Sequence, residues 1–123
     1  MKKTLASAAL AALLVAGCAS DDAESMVKQT IAALDETAQV MATVKDEESA
    51  KAAVPRLKAL AERRRKIEEK MTAVKTPPPA EQAELQKKYA QPLSAATTRL
   101  MQEAMRVSNV PGGRAAIDAM DGK

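Results

Sequence analysis

Apolar residues recur at helical spacing in three long stretches of this chain. Steps of three and four residues bring side chains onto one face of an α-helix, so each stretch predicts an amphipathic helix. No stretch alternates apolar and polar residues as a half-buried strand would. The apolar positions are Val27, Ile31, Leu34, Ala38, Met41 and Val44 in the first stretch, Ala50, Val54, Leu57, Leu60 or Ala61, Ile67, Met71 and Val74 in the second, and Leu85, Tyr89, Leu93, Ala96, Leu100, Ala104 and Val107 in the third.

Capping residues and prolines set the predicted ends of these helices. The first helix is expected over residues 21–45, and the acidic cluster 46–49 should end it and begin the second, since Asp and Ser favour caps and turns. Three successive prolines after Thr76 forbid helix, and the last of them, Pro79, suits the first position of the third helix. The segment 110–113, Val-Pro-Gly-Gly, should stop that helix.

Two interior prolines and the last ten residues leave alternatives open. Pro55 lacks an amide donor, so the second helix should either kink there or begin near it, and Pro92 is a second candidate for a kink. Residues 114–123 should form one short helical turn through Ile117 and Met120, or fray.

Three helices with short links predict an all-α fold, an antiparallel up-down-up three-helix bundle. Alanine at many stripe positions would let the helices approach closely, as in a coiled coil. Charge predicts which helices are neighbours: residues 21–50 carry a net charge of −6 and residues 51–75 a net charge of +6. The third helix should then direct the C-terminus away from the N-terminal end of the bundle.

The basic run Arg63-Arg64-Arg65-Lys66 does not predict nucleic-acid binding. Four successive helical residues spread around the helix and cannot form one basic face. Three of the four have an acid in reach four positions away, in the pairs Glu62–Lys66, Arg64–Glu68 and Arg65–Glu69. No aromatic residues interleave to stack bases.

Composition argues against an enzyme and against a cofactor or metal site. The chain has no His and only one Cys, which excludes a Ser-His-Asp triad, a His-containing zinc site and an internal disulfide. Asp118 and Asp121 near the end lack the loop spacing of a calcium-binding hand. Tyr89, the only aromatic residue, is expected to be half-buried and to pack rather than act as an acid.

The first 18 residues have the layout of an export signal. Lys2 and Lys3 precede an apolar run from Leu5 to Val15, and small residues follow up to the only cysteine. The segment Val15-Ala16-Gly17-Cys18 resembles the lipobox of bacterial lipoprotein precursors. The resemblance covers only these 18 residues, and no family is recognised for the rest of the chain.

The resemblance implies cleavage between Gly17 and Cys18 and lipid attachment at Cys18. Lipid would then supply the membrane affinity, because two or three acyl chains hold a small protein firmly at a bilayer. Ala19 after the cysteine favours the outer membrane, facing the periplasm. The predicted organisation is a signal peptide at 1–17, a lipidated anchor and linker at 18–20, a three-helix bundle at 21–110 and a C-terminal tail at 111–123.

The predicted function is that of an envelope lipoprotein with a non-catalytic structural, scaffolding or interaction role. Its partner would be another protein or a second copy, since a small-residue core of this size favours association. One alternative is a cell-wall tether: Lys123 ends the chain, and the small major outer-membrane lipoprotein of enteric bacteria is joined to peptidoglycan through a C-terminal lysine. The other is carriage of a lipid or small hydrophobe in a pocket lined by Met41, Met71 and Met101.

Overall fold

The computed structural model describes residues 22–123, which form four α-helices joined by short links. They are α1 Ala23–Ala42, α2 Glu47–Ala73, α3 Pro79–Ser108 and α4 Gly113–Met120. These residues contain no strand, and the all-α prediction is confirmed. None of the four helices is long and apolar enough to cross a membrane.

The predicted caps and breaks set the helix ends. Asp22 caps α1, where its Oδ1 accepts from the Ser25 N–H at 2.8 Å. Asp46 caps α2 by accepting from the Ser49 N–H at 2.8 Å, while the Ser49 hydroxyl accepts from the Asp46 N–H at 3.0 Å. This reciprocal pair is a capping box, which satisfies two amides that have no partner inside the helix. Pro79 is the first residue of α3, as predicted.

Both interior prolines lie within continuous helices. α2 runs through Pro55 and α3 runs through Pro92. Of the two alternatives at Pro55, a helix that begins there is wrong, because the capping box starts the helix eight residues earlier, at Glu47. Both prolines are exposed, so water can reach the backbone carbonyl that each leaves without an amide partner.

Helix α1 lies between α2 and α3 and packs on both. The Arg63 guanidinium of α2 reaches the Glu36 carboxylate of α1 at 2.7 Å, which joins the basic helix to the acidic one. At the start of α1, Glu24 bonds to Lys88, which lies in the first third of α3. At its end, the Arg106 guanidinium of α3 donates to the Val44 carbonyl at 2.7 Å. The N-terminal ends of α1 and α3 therefore lie together, and so do their C-terminal ends.

The core consists of two clusters of small and aliphatic side chains. The larger one joins all four helices; Leu57 and Val107 lie at 0% exposure within it. The smaller one, Met26, Ala33 and Ile67 with Val74 against it, holds the start of α1 to the end of α2. Thr37 is the one buried polar side chain among the described residues, and its hydroxyl donates to the Ala33 carbonyl at 2.6 Å. The hydroxyl is thus satisfied within its own helix.

The last ten residues take the helical alternative and belong to the packed body. α4 packs on α2 and α3 and buries Ala116 and Ala119, so the body extends past the predicted limit at residue 110. Two glycines permit the turn from α3 into α4 and its close packing. Gly112 has φ +76°, a backbone conformation that residues with a Cβ rarely adopt. Gly113 lies so close to α3 that a Cβ on it would be 1.9 Å from the Val107 carbonyl oxygen.

Candidate functional site

Cys18 and Gly17, the predicted sites of lipid attachment and cleavage, lie outside the described residues. Asp22, four positions after Cys18, is the first residue described and caps α1. The start of α1, the end of α2 and the start of α3 share one end of the molecule. A groove of about 310 Å³ there is lined by side chains from all three, including Ala23, Val74 and Gln82. Any anchor on Cys18 is attached by a short link to this end, which we call the anchor end.

The C-terminus does not continue outward from α3, because α4 turns back along α2. A Cβ on Gly112 would lie 3.0 Å from the Cγ of Glu47 at the start of α2, and one on Gly122 would lie 3.7 Å from the Cβ of Ala61. The expectation that the third helix directs the chain end outward is therefore wrong. Lys123 is exposed beside the middle of α2, and its backbone N–H donates to the Asp118 carbonyl at 2.8 Å.

Arg64 explains why the chain end returns to α2. The side chain is half-buried, and its Nη2 donates to the carbonyl of Met120, the last residue of α4. A cation at a helix C-terminus satisfies a free carbonyl and suits the helix dipole. The predicted pairing with Glu68 is not observed, because α4 presents this carbonyl instead. The sequence indicated that Arg64 makes an unusual contact, since it is the only charged residue on the apolar stripe of α2.

Arg65, the next residue of the basic run, is paired within its own helix. Arg65 bonds to Glu62 and to Glu69, the second of which is the predicted pair four positions apart. Hydrogen bonding to Glu62 raises the pKa of Arg65, and bonding to Arg65 lowers the pKa of Glu62. Arg63 turns away from them toward Glu36. The run is therefore divided among three directions and presents no continuous basic face.

Tyr89 takes part in a polar cluster at the anchor end. Its hydroxyl donates to Oε1 of Glu24 at 2.6 Å, and Nζ of Lys88 donates to the same oxygen at 2.8 Å. Tyr89 is half-buried, as predicted. Hydrogen bonds from Lys88 and then from Tyr89 lower the pKa of Glu24 to about 2, and the bond to Glu24 raises the pKa of Lys88. The cluster joins α3 to α1, and the Tyr89 hydroxyl is used in this structural contact.

The Glu24 cluster makes the fold sensitive to acid. A carboxylate with a lower pKa in the folded chain stabilises it above the unfolded pKa. With pKa values of 4.5 unfolded and about 2 folded, the stabilisation is present above pH 4.5 and is lost as the pH falls through 2. We therefore expect Glu24→Gln to lower the urea midpoint of unfolding at pH 7 and to approach that of the unsubstituted chain as the pH falls to 2.

The control for this prediction is Glu84→Gln, an exposed carboxylate for which residues 22–123 provide no ion pair. It should shift the midpoint little at either pH. An equal deficit of Glu24→Gln at pH 7 and at pH 2 would contradict the assignment, because the deficit would then come from packing and not from the charge.

The methionines do not gather into the predicted ligand pocket. Met41 is fully buried in the larger core cluster, while Met71 is 45% and Met101 60% exposed on different helices. A different groove, of about 500 Å³, lies between α1 and α3 and is lined by Val27 of α1 and by Leu85, Tyr89, Ala90, Leu93 and Thr97 of α3, among others. Its lining is mostly apolar, and it is open to solvent.

One face of α3, which begins in the lining of this groove, is exposed and carries no charge. Ala90, Ser94, Thr97, Met101 and Met105 follow one another at steps of four, three, four and four, which keeps them on one side of the helix. Met101 and Met105 are 60% and 69% exposed. We call these five residues the α3 strip. The predicted core stripe runs along the adjoining side of α3, and sequence reasoning missed the strip because Ala90, Ser94 and Thr97 give it little apolar character.

No metal centre is evident in the described part of the chain. Among residues 22–123, no three side chains of Asp, Glu, His or Cys come close enough to hold an ion. Comparison of the chain with known protein families, with curated proteins and with solved structures found no match.

Proposed function

We propose that this protein is a bacterial envelope lipoprotein, anchored by lipid on Cys18, with a helical body that has a non-catalytic interaction role. The lipobox segment Val15-Ala16-Gly17-Cys18 is the observation that carries the anchor. Because several acyl chains bind a bilayer far more firmly than one, the lipid would hold the protein without help from its surface. Ala19 after the cysteine favours the outer membrane, with the body in the periplasm.

The architecture supports this arrangement. The capped start of α1 is four residues from Cys18, so the anchor end of the body would lie close to the bilayer. α1 has 20 residues, and at 1.5 Å per residue its far end would stand about 30 Å further out. The turn between α1 and α2 and the link between α3 and α4 would then face away from the membrane.

An interaction role is supported by what the body exposes. The α3 strip presents two methionines and three small side chains to solvent without a charge among them. Uncharged exposed surface with adaptable methionine side chains is typical of contact sites between proteins. The strip runs along α3, which begins at the anchor end, so it would be accessible to another protein held at the same membrane.

Fractionation of cells that express the chain with and without Cys18→Ser tests the anchor. The unsubstituted chain should sediment with membranes and resist extraction by high salt, because hydrophobic insertion does not depend on ionic strength. Cys18→Ser should either appear in the soluble fraction or retain its uncleaved leader. A serine variant that is cleaved at the same position and remains on membranes would contradict the proposal. Ser20→Ala, two residues later, is the matched control.

A second candidate function is a cell-wall tether through Lys123. Exposure of this lysine at the chain end supports it. The attachment would then sit beside Ala61 in the middle of α2, about 18 Å along that helix from its end at Ala73. Digestion of purified cell wall should release Lys123 peptides that carry a muropeptide, and their absence would end this candidate.

Carriage of a lipid or small hydrophobe is the remaining alternative. The groove of about 500 Å³ between α1 and α3 favours it, since Val27, Leu85 and Leu93 are among its lining residues. This groove replaces the predicted pocket of Met41, Met71 and Met101. Its openness to solvent favours a protein surface over an enclosed ligand, and we therefore rank carriage below the interaction role.

A further inference from the structure

The α3 strip has the spacing of a helix-pairing seam. Its residues follow one another at steps of four, three, four and four. This is close to the alternation of three and four in a seven-residue coiled-coil repeat, which keeps one side of a helix toward its neighbour. Ala90, Ser94 and Thr97 are small, so a second helix could approach closely at the lower part of the strip. Met101 and Met105 above them are long and flexible, and both are more than half exposed.

From Lys88 onward, the charged residues of α3 lie away from the strip. Lys88 turns toward Glu24 of α1, and Arg106 pairs with Glu103 at 2.9 Å. Arg99 is two positions before Met101, which is about 200° around the helix. From Ala90 to Met105 the strip has no ionised residue, although 28% of the residues of the chain are charged. Lys87, one turn before Ala90, marks its lower limit.

We propose that the α3 strip docks the same strip of a second copy, with the two α3 helices parallel. In a parallel contact with two-fold symmetry, each residue near the axis meets its own counterpart. Any ionised side chain on the strip would therefore meet a like charge, which costs free energy. The absence of charge from Ala90 to Met105 therefore fits a second copy as the partner. A partner of different sequence could carry the opposite charge, so the strip would not need to be uncharged.

This inference rests on the proposed function, because the anchor sets the direction of both copies. Gln82, in the first turn of α3, lines the groove at the anchor end together with Ala23 and Val74, so α3 begins at that end. Two copies held by lipid in one bilayer would both direct α3 away from it, and their strips could align in parallel. The shared membrane also raises the effective concentration of one copy around the other.

The size of the strip predicts a weak contact. Fifteen residue steps of 1.5 Å and a helix width of about 10 Å give roughly 230 Å² per copy. Stable complexes bury about 800 Å² per partner. The pair should therefore form on the membrane, where the copies are concentrated and aligned, and should dissociate when the protein is dilute in detergent.

Single-cysteine variants of the full chain, expressed in cells and oxidised in intact envelopes, test the pairing. Lipid on Cys18 blocks the only native thiol, so an introduced cysteine reports on its own position. Thr97→Cys and Met101→Cys should each give a disulfide-linked dimer. Arg99→Cys, exposed on the opposite side of the same helix, is the matched control and should give at least tenfold less.

A second variant separates the seam from chance collision. Thr97→Cys combined with Met101→Glu places two like charges one turn above the thiol, so the dimer yield should fall to that of Arg99→Cys. Equal yields from Thr97→Cys, Met101→Cys and Arg99→Cys, or no dimer from any of them, would overturn the inference. All substituted positions are exposed, and circular dichroism of the purified variants checks that each remains helical.

The mass of the same samples distinguishes this inference from the proposed function. If the chain carries lipid on Cys18 and the strip variants give no dimer, the pairing is wrong and the lipoprotein assignment stands. If Cys18 carries no lipid, the proposed function is wrong and the parallel pairing that depends on it is overturned as well.

Discussion

Leu57→Ala is expected to destabilise the folded chain by about 2–5 kcal/mol. Leu57 is fully buried in the cluster that joins all four helices, so truncation removes apolar contacts and leaves a cavity in the region where α2 supports α4. Domains of this size are held by only about 5–15 kcal/mol in total. Urea unfolding followed by circular dichroism should therefore show a midpoint lowered by a large fraction of its value.

The control is Leu93→Ala, which makes the same change on α3. Leu93 is 37% exposed, so its truncation removes fewer contacts and leaves no closed cavity. Dilute protein should be used for both variants, because Leu93 lies beside the α3 strip. A cost for Leu57→Ala no larger than that for Leu93→Ala would mean that the core does not lie where the described fold has it.

Gly113→Ala is expected to destabilise the chain by about 1–3 kcal/mol, as overpacking of a tight contact does. The added Cβ would lie 1.9 Å from the Val107 carbonyl oxygen and 2.9 Å from its carbon, and these are backbone atoms that cannot rotate away. α4 would have to separate from α3. Amide hydrogen exchange should show lost protection in α4, with protection in α1 changed far less.

Arg114→Ala is the neighbouring control for this prediction. Arg114 is exposed, and its ion pair with Asp118 at 3.4 Å lies on the surface, so its loss should cost less than about 1 kcal/mol. Unchanged exchange in α4 of Gly113→Ala would contradict the close approach of α4 to α3 and the packed position of the last ten residues.

Periodicity was sufficient to predict the three long helices, because each must bury an apolar stripe. The acidic cap Asp46 and the helix-starting Pro79 were also readable, since their chemistry acts within one turn. The pairing of α1 with α2 followed from opposite net charges and is observed in the contact of Glu36 with Arg63. These features depend on residues close in sequence or on bulk charge.

The position of α4 could not be predicted from its own eight residues. Gly113, Ala116 and Ala119 are buried, yet nothing in such small residues indicates which helices they pack on. What fixes α4 is long-range: the close approach of Gly113 to Val107 and the bond from Arg64 to the Met120 carbonyl. The sequence showed Arg64 as a charged residue on an apolar stripe, but it did not indicate the Met120 carbonyl as its partner.

The candidate site was likewise only partly accessible from sequence. Cys18 stood out as a lone cysteine after small residues, whereas only the two methionines of the α3 strip are large and apolar, beside Ala, Ser and Thr residues. The strip becomes recognisable only when the structure shows which side of α3 packs on α1. The residues of the strip are defined by the side of α3 that does not pack into the core.

The mass of the intact protein from native envelopes tests the central claim most directly. The account predicts a chain that begins at Cys18, ends at Lys123 and carries the added mass of a diacylglyceryl group, with or without a further acyl chain on the new amino terminus. A mass equal to that of the unmodified chain, with a free thiol at position 18 or with residues 1–17 still attached, would contradict it.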